Sequence, residues 1–148
     1  MIERRPFTKA LAAALAVGTG MPVGIGRMPE AKAPYYVLYS LDGTVSGAPL
    51  ADENEDASFV YQVTCVSGPD PARPGSTGSV DQAEWLVDKA KKAILGRDVM
   101  TGQWTSPITV PGVSIMCRSV DVEPGGTNDP TDGIINYVIR FKFDLTPA

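Results

Sequence analysis

The amino-acid sequence predicts an α/β (α+β) fold: a single mixed or antiparallel sheet of four to five strands with two helices packed on one face. Three observations support this prediction. The chain has 148 residues, which suits one domain spanning residues 1–148. Two segments repeat apolar residues with the period of a helix, and four others have the β-branched, aromatic or alternating pattern of strands. Their order leaves two apolar helix faces to cover one apolar face of a sheet.

The first helix is predicted near the N-terminus, where Phe7, Leu11 and Leu15 recur every four residues and form an apolar stripe. Pro6 suits its first turn, and the glycines within residues 18–22 are typical of a helix end. The same stretch also resembles a secretion signal, because a basic segment precedes a short apolar run. We favour the helix because the run is short and lacks a convincing cleavage site. We therefore expect residues 1–20 to remain in the mature protein.

The strands are predicted from composition and alternation. After a glycine-rich edge strand or linker at residues 22–26, residues 35–41 form an aromatic, β-branched strand that ends at the turn signal Asp42-Gly43. A shorter strand is expected around residues 113–117. Two alternating strands place their apolar side chains on one face: Phe59, Tyr61, Val63 and Cys65 in residues 58–66, and Ile135, Tyr137, Ile139, Phe141, Phe143 and Leu145 in the last strand.

The second helix is predicted to begin after Ser79, with Gln82 completing a capping box, and to end at Gly96. Its apolar stripe comprises Val80, Ala83, Leu86, Val87, Ala90 and Ile94. Trp85 lies on the outer flank of this helix. It is either an aromatic residue at the edge of the core or an anchor at a subunit interface, where tryptophan is enriched.

Two segments rich in proline and glycine are predicted to be mobile loops, near residues 67–78 and 123–133. The segment between them, residues 97–109, is expected to be irregular. The two cysteines, Cys65 and Cys117, lie in strand-like runs and are expected to be reduced and buried. A disulfide between neighbouring strands is the alternative.

The composition argues against an enzyme. The chain has no histidine, which is the commonest general base and metal ligand, and its net charge of −4 does not suit a nucleic-acid-coating protein. The acidic segment Asp52, Glu53, Glu55 and Asp56 lacks the spacing of an EF-hand calcium loop and is expected to be a solvated loop. We expect no catalytic residue, no cofactor and no metal.

Several segments together resemble the tail terminator proteins of long-tailed (siphovirus-type) bacteriophages. The resemblance is carried by residues 34–39, 48–52, 60–64, 82–88 leading to 94–96, 110–112 and the final strand at 137–146. It implies a small sheet with helices on one side and a homo-oligomeric, hexameric ring at the head-proximal end of the tail tube. Such a ring ends tube polymerisation and meets the tail tube protein and a head completion or connector protein. It implies no cofactor and no catalytic residue, in a protein present in the host cytoplasm before assembly and in the virion tail afterwards.

A closed ring needs two different surface patches on each subunit. The predicted interface residues are the polar sheet residues Gln62, Arg140 and Lys142 together with Trp85 and the acidic segment. Lining the channel, the acidic segment would let DNA pass without specific binding; facing the head, it would attract a basic docking surface. Two other classes stay open: another head–tail joining or tail tube subunit, and an exported bacterial surface-binding domain.

Overall fold

A computed structural model describes residues 2–45, 55–129 and 133–148. These residues form two helices, α1 (Arg4–Thr19) and α2 (Val80–Leu95), and five strands: β1 (Val23–Ile25), β2 (Tyr35–Val45), β3 (Ala57–Ser67), β4 (Val113–Asp129) and β5 (Ile134–Pro147). The strands form one mixed sheet in the order β1-β2-β3-β5-β4. Only the short β1–β2 pair is parallel. The helices pack together against the sheet, so the predicted fold class is confirmed.

Helix α1 is part of the hydrophobic core because its apolar stripe faces the sheet. Phe7, Leu11 and Leu15 are all buried, as predicted. The Phe7 ring lies 5.2 Å from the ring of Phe143 in an edge-on arrangement that favours aromatic attraction. The helix ends at Gly20, whose N–H donates a hydrogen bond to the carbonyl of Ala16. Neither described helix is long and apolar enough to cross a membrane.

Arg4 attaches the start of α1 to strands β2 and β3. Its guanidinium donates hydrogen bonds to the carbonyls of Asp42 (3.2 Å) and Val60 (3.0 Å), and it lies 4.8 Å from the ring of Phe59. A Cβ atom at Gly43 would lie 2.9 Å from the Arg4 guanidinium, so glycine allows this close approach. The prediction that β2 ends at residues 42–43 was wrong. The strand continues to Val45 through a register shift, and these residues form an irregularity inside the strand.

Strands β3 and β5 lie in the middle of the sheet and alternate as predicted. On the helix-facing side, Tyr137 is half-buried and the other side chains are buried. The buried ones are Phe59, Tyr61, Val63, Cys65, Ile135, Ile139, Phe141, Phe143 and Leu145. The side chains on the opposite side, here called the outer face, are mostly half-buried. The two helices thus cover one side of the sheet and leave the outer face without a helix.

Helix α2 has the predicted N-cap and a different partner for its capping-box residue. The Ser79 side chain accepts a hydrogen bond from the N–H of Gln82 (3.1 Å). The Gln82 side chain accepts one from the hydroxyl of Ser67 (2.6 Å), and that hydroxyl accepts one from the N–H of Ser79. The buried Ser67 therefore links the end of β3 to the start of α2. Val80, predicted to lie in the apolar stripe, is exposed and is the first residue of the helix.

Strand β4 is longer than predicted. It runs to Asp129, so most of the expected loop at residues 123–133 is strand. Proline and glycine are tolerated there because β4 is an edge strand and its pairing with β5 shifts register between Val122 and Gly125. The other expected loop begins after Ser67 and is held by a turn in which the N–H of Asp70 donates to the hydroxyl of Ser76. Mobility of both segments stays a prediction.

The two cysteines are free, and only one of them is buried. Cys65 lies in the core, whereas Cys117 is exposed, so the prediction of two buried thiols was wrong for Cys117. The cause is a register shift in β4 between Ile115 and Cys117. The extra residue, Met116, turns Cys117 to the outer face and places Arg118 on the face that packs against the helices.

Burial of Cys65 predicts a loss of stability in alkaline solution. Burial raises the pKa of this thiol from 9.0 to about 12, with a smaller contribution from the negative charge of Glu123. Above pH 9.0 the unfolded chain loses the thiol proton while the folded chain keeps it. The free energy of unfolding should therefore fall as the pH rises towards 12, by at most about 1.4 kcal/mol per pH unit from this group.

Denaturant titrations between pH 8 and pH 10.5 measure this slope. The Cys65→Ala variant should lose stability less steeply than the wild type over this range. Cys117→Ala is the matched control because its thiol is exposed, and it should keep the wild-type slope. Burial also raises the pKa of Tyr36, so some alkaline slope should remain in every variant. Equal slopes for Cys65→Ala and the wild type would refute the prediction.

Candidate interaction surfaces

The outer face brings together three of the predicted interface residues. Gln62 of β3 and Arg140 of β5 are register partners, and the Arg140 Nε donates a hydrogen bond to the Gln62 side-chain oxygen (3.2 Å). Lys142 follows on β5, opposite Val60 of β3 and Ser119 of β4. All three side chains are half-buried. Because alternate residues of a strand share a face, the sequence was sufficient to predict a common face for them, whereas the pairing of β3 with β5 comes from the structure.

Apolar side chains flank these polar residues on the same face. Tyr39 of β2 is the register partner of Gln62, and Val122 of β4 is the partner of Arg140. Both are exposed apolar side chains. At one end of the face, Tyr35, Val37 and Val66 form a small buried cluster of their own. A surface that mixes aromatic, aliphatic and arginine side chains is typical of protein–protein interfaces.

The acidic segment is only partly described. Asp52 and Glu53 lie outside the described residues, while Glu55 is half-buried and Asp56 is exposed. Asp56 lines an open cavity of about 500 Å³ together with Ser58, Asp144 and Cys117. The Ser58 hydroxyl donates a hydrogen bond to the Asp144 carboxylate. The charged residues lining this cavity are both acidic, so the cavity itself is negatively charged.

Trp85 lies on the helical side of the molecule, away from the outer face. Its side chain is 44 % exposed, and the Lys89 ammonium lies 4.6 Å from the ring centre. The structure therefore places the predicted patches, Trp85 and the polar sheet residues, on opposite layers. A heterologous contact needs two separate patches on one subunit, and this placement is compatible with it.

A cluster around Trp104 was not predicted from the sequence. The guanidinium of Arg97 lies 3.9 Å from the centre of the Trp104 ring, and that of Arg118 lies 4.5 Å from it. Arg118 is only 6 % exposed and donates hydrogen bonds to the carbonyls of Ile94 (3.0 Å) and Ser106 (2.9 Å). Burial, with a smaller effect from Arg97, lowers the pKa of Arg118 to about 10. The cluster joins the end of α2 to β4 and to the segment that connects them.

The only sequence signal for this cluster was the isolated Trp104. The two arginines that contact it, Arg97 and Arg118, are distant from each other in sequence. Strict alternation from Ile115 would have placed Arg118 on the outer face. The register shift in β4 reverses that placement, and no sequence pattern announces the shift.

A second set of polar contacts links α2 to the sheet. The Lys91 ammonium lies 3.0 Å from the Glu123 carboxylate, which also accepts a hydrogen bond from the Tyr137 hydroxyl. The hydrogen bond from Lys91 is the main cause of a lowered pKa for Glu123. The hydrogen bond to Glu123 is likewise the main cause of a raised pKa for Tyr137. These contacts are exposed, so they contribute little to stability.

Within the described part of the chain, no cluster of three or more cysteine, aspartate and glutamate side chains is arranged to hold a metal ion. The described surfaces mix polar and apolar side chains. No protein-family model matches the chain, and no curated protein sequence matches it significantly.

Proposed function

We propose that this protein is a tail terminator of a long-tailed bacteriophage. Its subunits form a ring that caps the head-proximal end of the tail tube, ends polymerisation of the tube and joins the tail to the head connector. The resemblance in sequence suggests this role and a hexameric ring. The fold agrees with the small sheet and one-sided helices that the resemblance implies.

The observation that carries the proposal is the outer face of the sheet. Neither described helix covers this face, and it combines the half-buried Gln62, Arg140 and Lys142 with the exposed Tyr39 and Val122. Such a face suits contact with another protein subunit better than contact with solvent alone. A ring subunit needs surfaces for its two neighbours and for the tube and head proteins.

The acidic cavity gives the ring a second property. Its charge, contributed by Asp56 and Asp144, would be repeated in every subunit. In the channel, repeated negative charge repels the phosphate backbone and lets DNA slide through without specific binding. On the head side, it would attract a basic docking surface and make joining sensitive to salt.

Tail length tests the proposal. Without the protein, tube polymerisation should continue past the normal length, and the overlong tubes should remain without heads. The double variant Arg140→Glu/Lys142→Glu should behave similarly because it reverses the charge of the outer face. Lys92→Glu, an exposed lysine on α2, is the matched control and should restore normal tails. Electron microscopy of lysates measures both length and joining; normal, head-bearing tails in the complete absence of the protein would refute the proposal.

A further inference from the structure

The segment between α2 and β4 carries a turn, residues 97–104, whose tip is apolar. Val99 is 100 % exposed and Met100 is 92 % exposed. They are the two most exposed large apolar side chains in the described part of the chain. Adjacent apolar side chains held fully in water are unfavourable unless a partner covers them.

The turn is preformed. The N–H of Asp98 donates to the carbonyl of Gln103, and the N–H of Gly102 donates to the carbonyl of Asp98, both at 2.7 Å. The Asp98 carboxylate accepts hydrogen bonds from the N–H groups of Met100 (2.7 Å) and Thr101 (3.2 Å). Gly102 has a φ of 72°, a conformation that favours glycine. With the Trp104 cluster at its base, the turn presents its two apolar side chains at low cost in conformational entropy.

An apolar groove of about 360 Å³ lies between α1 and the segment that follows the turn. None of the residues that line it is charged: Ala10, Ala13, Ala14, Val17, Thr105, Ser106, Pro107 and Thr109. Val17, on its helical wall, is 87 % exposed. The alanines leave space above α1 that a larger side chain would fill.

We propose that the tip formed by Val99 and Met100 docks into this groove on a second copy of the chain. The exposure of both side chains shows that the tip does not occupy the groove of its own chain. A tip and a groove at different positions on one molecule allow a head-to-tail, heterologous contact, which closes into a ring when the rotation between copies permits it; reciprocal exchange of tips would give a two-fold dimer with the same contact. The inference rests on the proposed function only for this closure.

The expected contact is weak between two isolated copies. A stable interface buries about 1,200–2,000 Å², and a tip of two side chains covers only part of that area. In a ring, each copy contributes one tip and one groove, so every copy is held twice. A covalent trap is therefore the appropriate probe.

Disulfide crosslinking between two different variants tests the contact. Both proteins carry Cys117→Ser, because that thiol is exposed. One also carries Met100→Cys and a small tag, and the other carries Val17→Cys. After mixing at millimolar concentration and mild oxidation, the mixed dimer should be at least tenfold more abundant than with Ala72→Cys, an exposed position outside the groove. The pair Val99→Cys with Ala13→Cys should give the same result.

A further substitution at the tip tests whether crosslinking depends on its apolar side chains. Val99→Asp in the Met100→Cys protein should reduce the mixed dimer to the level of the Ala72→Cys control. Met28→Asp, at another exposed apolar position, should leave its yield unchanged. Mixed dimers no more abundant than the control in both cysteine pairs would overturn the proposal, whether the surface then binds a different protein or none. Since no tail tube is present, this result is independent of the tail-length test.

Discussion

Leu11→Ala and Leu15→Ala are each expected to lower the free energy of unfolding by about 2–5 kcal/mol. Both side chains are buried between α1 and the inner face of the sheet, within the same core cluster as Phe7 and Phe143. Shortening either one removes apolar contacts and leaves a cavity that the surrounding strands fill only in part. In a domain of this size, each 1 kcal/mol should lower the melting temperature by about 2–4 °C.

Thermal and denaturant unfolding measure this effect. Val17→Ala on the same helix is the matched control, because that side chain is mostly exposed and its loss should change stability by no more than about 0.5 kcal/mol. If both leucine variants melt at the wild-type temperature, α1 does not belong to the core. The alternative interpretation of the N-terminal stretch as a secretion signal would then be favoured.

Arg118→Met is expected to lower the free energy of unfolding by about 2–4 kcal/mol, because two carbonyls lose their donor. Methionine preserves much of the packing but cannot donate to the carbonyls of Ile94 and Ser106. A buried carbonyl left without a donor costs about 1–3 kcal/mol. Arg97→Met is the matched control, since Arg97 is exposed and its stacking on Trp104 contributes about 0.5–1 kcal/mol.

Denaturant titration distinguishes two effects at Arg118. Burying a guanidinium has a desolvation cost, and an apolar replacement of similar volume can recover that cost. A variant as stable as the wild type would show that desolvation outweighs the two hydrogen bonds. The contacts of Arg118 within the Trp104 cluster would then make no net contribution to the stability of the fold.

Local patterns predicted both helices and the central strands. The stripe through Phe7, Leu11 and Leu15 and the alternation of β3 and β5 are each set by residues close in sequence. The errors lie where pairing between strands overrides local signals. The irregularity at residues 42–43 continues β2 where the sequence indicated a turn, and β4 extends through Pro124 because an edge strand needs fewer hydrogen bonds.

The candidate surfaces, like the fold, could be predicted from the sequence only where local patterns determine the structure. Gln62, Arg140 and Lys142 share a face because β3 and β5 pair without a register shift. The register shift in β4 concealed both the exposure of Cys117 and the burial of Arg118. The exposed tip at Val99 and Met100 follows no periodic pattern, since a turn held by Asp98 has no apolar repeat. The tip could therefore be identified only from the structure.

The position of the protein on the tail tests the proposed function most directly. Purified tails labelled with an antibody against this chain and viewed by electron microscopy show where its subunits lie. A terminator should give one cluster of label per tail, at the end that meets the head and nowhere along the tube. Label distributed along the whole tube would instead identify a tube subunit and contradict the assignment.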